Sequence, residues 1–112
     1  MSFEVHTTPT FERSAKALAK KHRSLAKDLE NLISILEENP FQGDELTPGV
    51  RKIRMAISSK GRGKSGGARV ISYTITITAN EGDVYLLDIY DKADFSTVDV
   101  EVLKWVIKEI GF

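Results

Sequence analysis

Ala68 to Thr78, ARVISYTITIT, constrains this chain more than any other stretch. It is rich in β-branched residues, which pack well on a pleated surface and restrict a helix. Its stripe of Ile71, Tyr73, Ile75 and Ile77 faces one side of a strand. Asn80-Glu81-Gly82-Asp83 reads as a turn, which makes Val84 to Tyr90 the hairpin partner. Upstream, Arg51 to Ile57 alternates Arg51, Ile53, Met55 and Ile57 against Lys52, Arg54 and Ala56. Three consecutive strands joined in this way predict antiparallel pairing.

The first half is helical apart from Phe3 to Thr7, whose alternation suits a short strand. Thr8-Pro9 supplies an N-cap and a proline at the first helical position. Phe11, Ala15, Leu18 and His22 then fall on one stripe, and Leu25, Leu29, Leu32 and Leu36 form a second from Ser24 until Asn39-Pro40 stops it. Phe41 to Val50, with Gly43, Pro48 and Gly49, reads as a loop. A last helix is expected from near Ser96 to Gly111, its apolar girth (Val102, Leu103, Trp105, Val106, Ile110) suggesting burial within the domain more than a partner groove. The expected fold is a single α+β domain over residues 1–112. A small antiparallel sheet carries an N-terminal helical hairpin on one face, and a C-terminal helix completes it.

Composition narrows the function classes. There is no cysteine, hence no disulfide frame, thiolate metal site or thiol nucleophile. No apolar run approaches the ~18–20 residues of a membrane span. The N-terminus lacks a hydrophobic signal core, so a cytoplasmic protein with no membrane partner is expected. Net charge is zero, from 16 basic and 16 acidic residues. Yet Arg51 to Arg69 holds seven of the bases (Arg51, Lys52, Arg54, Lys60, Arg62, Lys64, Arg69) and no acid. Clustered cations create a local potential that net charge hides, and a polyanion, nucleic acid above all, is the expected partner.

Within that segment Gly61, Gly63 and Gly66 match the dinucleotide fingerprint G-x-G-x-x-G, and Gly63-Lys64-Ser65 matches the end of a P-loop. Both motifs require a helix to begin where they end. Here Gly67 leads into a strand, so the better expectation is a flexible hairpin loop that brings bases and backbone amides to phosphates. His6 and His22 lie outside the basic segment and read as structural or solvated. No His, Asp or Glu group has metal-ligand spacing, and no cofactor is expected.

If the helices cover one face of the sheet, the other is the working face. Lys52 and Arg54 share a face, as do Asp88 and Tyr90, opposite Leu87 and Ile89. The economical arrangement gathers Lys52, Arg54, Asp88 and Tyr90 on the open face. Arg69 alternates with Ile71 and Tyr73, so reaching that face requires a bulge or a strand only just beginning there.

With these residues assembled, the chain resembles the RelE/ParE toxin superfamily of bacterial toxin–antitoxin systems, nearest its HigB-like branch. The matching residues are Asn39-Pro40 with Gly43, Arg51-Lys52-Ile53-Arg54, Gly61 to Tyr73 (GRGKSGGARVISY), and Leu86 to Lys92 (LLDIYDK). The resemblance implies a ribosome-dependent mRNA endoribonuclease, blocked by a cognate antitoxin, in which a ribose 2′-hydroxyl attacks the adjacent phosphate without a metal. That chemistry needs a base, cations for the phosphorane charge, and an acid for the leaving oxygen. The resemblance makes Lys52 the candidate base, its pKa lowered by neighbouring cations, and gives Arg54 and Arg69 the phosphate. It makes Tyr90 or Lys92 the proton donor or orienting group. Arg51, Lys60, Arg62, Lys64 and Lys92 are expected to grip RNA in a salt-dependent way. Two alternatives stay open: a ParE-like DNA gyrase poison, and a non-catalytic nucleic-acid-binding module.

Overall fold

The computed structural model describes residues 3–94 together with Lys104, Trp105, Ile107 and Lys108. Its elements run β1 (Phe3–Thr7), α1 (Pro9–Ala19), α2 (Leu25–Glu38), β2 (Asp44–Thr47), β3 (Val50–Met55), a 3-10 turn (Ser58–Lys60), β4 (Ala68–Thr78) and β5 (Glu81–Asp91). The five strands form one sheet in the order β1-β5-β4-β3-β2.

The expectation of an all-antiparallel sheet is corrected. β2 to β5 pair antiparallel, but β1 pairs with β5 in parallel, Phe3 opposite Gly82 and Thr7 opposite Leu86, so the sheet is mixed. Hairpin-linked strands must alternate in direction, whereas β1 is separated from the others by two helices, which leave either direction open. Thr8 ties the arrangement together. It caps α1 by accepting from the Phe11 amide (3.2 Å), and its buried hydroxyl donates to the Leu86 carbonyl of β5 (3.0 Å). The helix therefore starts on the strand that β1 pairs with, and α1 packs chiefly on β5.

The C-terminal helix expected from Ser96 lies almost wholly outside the described residues and is not among the described elements. Trp105 itself is 66% exposed, against the expectation of burial, while Ile107 packs on the sheet. The stretch read as a loop before Val50 contains β2, an edge strand whose exposed Asp44 and Glu45 hide its alternation; short charged edges protect sheets from further pairing. β5 begins at Glu81, three residues before the expected start, because the hairpin turn is Ala79-Asn80.

Both helices lie on one face, as expected. Leu18, Leu25, Leu32 and Leu36 meet Ile53, Met55, Val70, Val84, Leu86 and Ile89 there. The opposite face has its own small cluster of Val50, Ile71 and Leu87, with Tyr73, Tyr85, Tyr90 and Ile107 around it. That face is consequently part apolar and part charged.

Candidate nucleic-acid interface

On the face away from the helices, the strand register sets Arg54, Arg69 and Tyr90 in one cross-strand row. Lys52, Ile71 and Asp88 form the next. Directly opposed Cβ atoms lie ~4.5–5.5 Å apart, so all four expected catalytic residues fall within two neighbouring rows. Arg69 needs no bulge to get there. Ala68, Val70 and Ser72 take the helix side of β4, which leaves Arg69, Ile71 and Tyr73 on the other. The bulge lies in β5 instead: Ile71 faces Asp88 and Ser72 faces Leu86, so Leu87 is the extra residue. Leu87 joins Val50 and Ile71 rather than opposing Asp88.

Arg69 is 7% exposed and is held by backbone. Its Nη1 donates to the carbonyls of Lys64 (3.1 Å) and Ala68 (3.1 Å), and its Nη2 to that of Ser65 (3.3 Å). These bonds use three of the five guanidinium donors. A rigid, loop-clamping arginine is the result, in place of a flexible phosphate ligand. Across from it, burial pushes the Tyr90 hydroxyl up; Arg69 opposes that push and Asp88 adds to it. The phenol is therefore protonated at neutral pH. Lys52 lies opposite Asp44 of β2, an acid that the basic segment itself lacks.

The glycine loop is anchored at both ends. Asp28 of α2 accepts from the Ser58 amide (2.9 Å), the Ser58 hydroxyl (2.6 Å) and the Ser24 hydroxyl (2.8 Å). Ser24, at the N-cap of α2, makes no side-chain cap bond and accepts from the Ser59 amide at 2.9 Å. Asp91, at the end of β5, accepts from Lys60 Nζ (2.9 Å) and the Ala93 amide (2.9 Å), and its other oxygen lies 3.1 Å from His22 Nε2. Burial pushes both carboxyls up, but the hydrogen bonds outweigh it and hold each below the ordinary value. Gly67 closes the loop against β3, where an added Cβ would sit 2.1 Å from the Met55 carbonyl oxygen.

The expected RNA-gripping set is divided by this anchoring. Arg62 and Lys64 are exposed on the loop, and Arg54 and Lys64 line one groove of about 180 Å³ beside α2. Lys60 is turned inward onto Asp91, with its side chain 16% exposed. Arg51 lies on the helix side, bonding the Gly43 carbonyl (3.3 Å) and resting over the Phe41 ring (5.5 Å). Lys92 is exposed just past β5, and its amide donates to the Gly67 carbonyl at 3.1 Å.

Sequence reasoning missed Asp28, although a signal was present. It lies three residues after Leu25 and four before Leu32, an acid on the apolar stripe of α2. Nothing in the local sequence pairs Asp91 with Lys60 and His22, which are 31 and 69 residues away. Nor does spacing reveal Glu4, His6 and Asp83, whose ligand atoms all lie within 4.8 Å of one another. No described helix is long and apolar enough to cross a membrane. Scanned against models of known protein families, the chain matches none.

Proposed function

We propose that this chain is the toxin of a type II toxin–antitoxin pair of the RelE/ParE kind, an endoribonuclease that cuts mRNA on the ribosome. On this proposal it works in the cytoplasm and is restrained by a cognate antitoxin. The observation that carries it is the row Arg54–Arg69–Tyr90 with Lys52 one row away, beside a loop that exposes Arg62 and Lys64.

In the proposed reaction Lys52 takes the proton of a ribose 2′-hydroxyl, and the oxygen attacks the adjacent phosphorus. The bond to the 5′-oxygen breaks, leaving a 2′,3′-cyclic phosphate, and the Tyr90 phenol gives its proton to the departing oxygen. Arg54, with the donors of Arg69 that the loop does not use, stabilises the extra charge of the phosphorane. Arg62 and Lys64 hold flanking phosphates, a contact that weakens with salt.

The clamping of Arg69 by three carbonyls favours one competing proposal, a module that binds nucleic acid without cutting it. A translating extract separates the two. With the wild-type chain, mapped mRNA ends are expected at codon-phased positions. Lys52→Ala and Tyr90→Phe are each expected to lower cutting by ~10²-fold or more. Bound but intact mRNA supports the module. Intact mRNA with blocked gyrase supercoiling overturns both in favour of a gyrase poison.

A further inference from the structure

A second constellation lies where the edge strand β1 pairs with β5. Glu4 and His6 are two residues apart on β1 and so share a face, and parallel pairing sets Asp83 of β5 directly opposite Glu4. His6 Nε2 lies 2.9 Å from Asp83 Oδ1 and 3.7 Å from Glu4 Oε1. The imidazole is stacked on Tyr85, its cross-strand neighbour, with ring centroids 4.8 Å apart and planes at 24°. One nitrogen and two carboxylates are thus presented from two backbone-paired strands, with the ring orientation fixed by an aromatic surface.

We propose that Glu4, His6 and Asp83 form a binding site for a divalent transition-metal ion, zinc by preference. Zinc ligands at bond lengths of ~2.0–2.2 Å in tetrahedral geometry stand roughly 3.3–3.5 Å from one another. The observed 2.9 and 3.7 Å bracket that separation, and all three ligand atoms lie within 4.8 Å of one another, so rotation of the carboxylate side chains can seat the ion. Glu4 is exposed and Asp83 half-buried, which leaves room for both carboxylates to adjust. A nitrogen ligand with only two carboxylates suits zinc over magnesium or calcium, which demand more oxygens. Metal binding requires an unprotonated His6 Nε2, so any proton on that nitrogen is released to solvent.

The surroundings favour a cation. An open depression of about 560 Å³ beside the site is lined by four acids, Glu4, Glu37, Glu81 and Asp83. The chain offers no thiolate to compete, and its only other histidine, His22, is turned onto Asp91. A bound ion would clip β1 to β5 and stiffen the parallel edge of the sheet.

The test is calorimetric titration of the full, chelator-treated chain with zinc chloride, alongside His6→Gln, Asp83→Asn, Glu4→Gln and His22→Gln. One ion per chain is expected, with affinity lowered at least ~10-fold in His6→Gln and Asp83→Asn, less in Glu4→Gln, and unchanged in His22→Gln. A zinc-dependent rise in melting temperature that disappears in His6→Gln is the second readout. Circular dichroism confirms that each variant is folded, so lost binding reports on the site. The proposal is overturned by absence of zinc binding at 100-fold excess, by equal affinity in His6→Gln, or by loss only in His22→Gln.

Discussion

Arg54 and Arg69 stand directly opposite each other across β3 and β4, two like charges at one cross-strand position. Such pairs destabilise a sheet, by up to ~1 kcal/mol. Arg69 is turned into the loop carbonyls, while Arg54 stays exposed. Arg54→Ser is therefore expected to raise the urea midpoint, with a gain of roughly 0.2–1 kcal/mol. The same variant should weaken binding to single-stranded RNA and lower its salt slope by about one. A variant that loses stability as well as binding would show that Arg54 is structural.

Arg69 has the opposite signature. Arg69→Ala strips partners from the carbonyls of Lys64, Ser65 and Ala68; the last is buried, and a buried unsatisfied group costs ~1–3 kcal/mol. The expected result is a lower melting temperature and faster proteolysis between Lys60 and Gly67. Arg69→Lys is expected to recover little, because an ammonium cannot reproduce a planar fork. Recovery by lysine in both assays would show that charge alone matters.

Acid should release the glycine loop. Asp28 and Asp91 both titrate below the ordinary 3.8 when folded, since hydrogen bonds outweigh the upward push of burial. The unfolded chain therefore takes up these protons first as pH falls. The stability they contribute is present above their unfolded values and is lost as pH drops through the lower folded ones. Urea unfolding between pH 6 and pH 2 is expected to show this acid limb, and Asp28→Asn to flatten it. Lys60→Met, which leaves the Asp91 carboxylate buried without its cation, is expected to cost about 3–5 kcal/mol at neutral pH.

Ser72 is fully buried on the helix side of β4, and its hydroxyl has no hydrogen-bond partner among the described residues. Ser72→Ala removes an orphaned polar atom from an apolar layer. Thermal and urea unfolding are expected to show a gain of about 1 kcal/mol. A loss of that size would mean that the hydroxyl contributes through packing.

Much of the framework was legible because it is local. Thr8-Pro9 announced the start of α1, the leucine repeat announced α2, and the β-branched run announced β4. The candidate site was legible in part for the same reason. Lys52 with Arg54, and Asp88 with Tyr90, share faces by simple alternation, and the register does align them. β2 was not legible, because its alternation is masked by edge acids and ends at Pro48-Gly49. Lys60 was misread as a loop cation because its partner, Asp91, is brought to it only by folding.

Apart from β2, the chain's own residues determined where the described strands and helices form, and that nineteen positions concentrate nearly half of the positive charge. Alternation also determined that β4 has two stripes, one of Arg69, Ile71 and Tyr73 and one of Val70 and Ser72. Only tertiary structure decided which stripe meets the helices. Both are apolar enough to be buried, and the contest is settled by packing against Leu25, Leu32 and Leu36. Tertiary structure alone also decided that β1 runs parallel to β5, since backbone hydrogen bonding carries no sequence mark of direction. That pairing brings His6 to Asp83, 77 residues away.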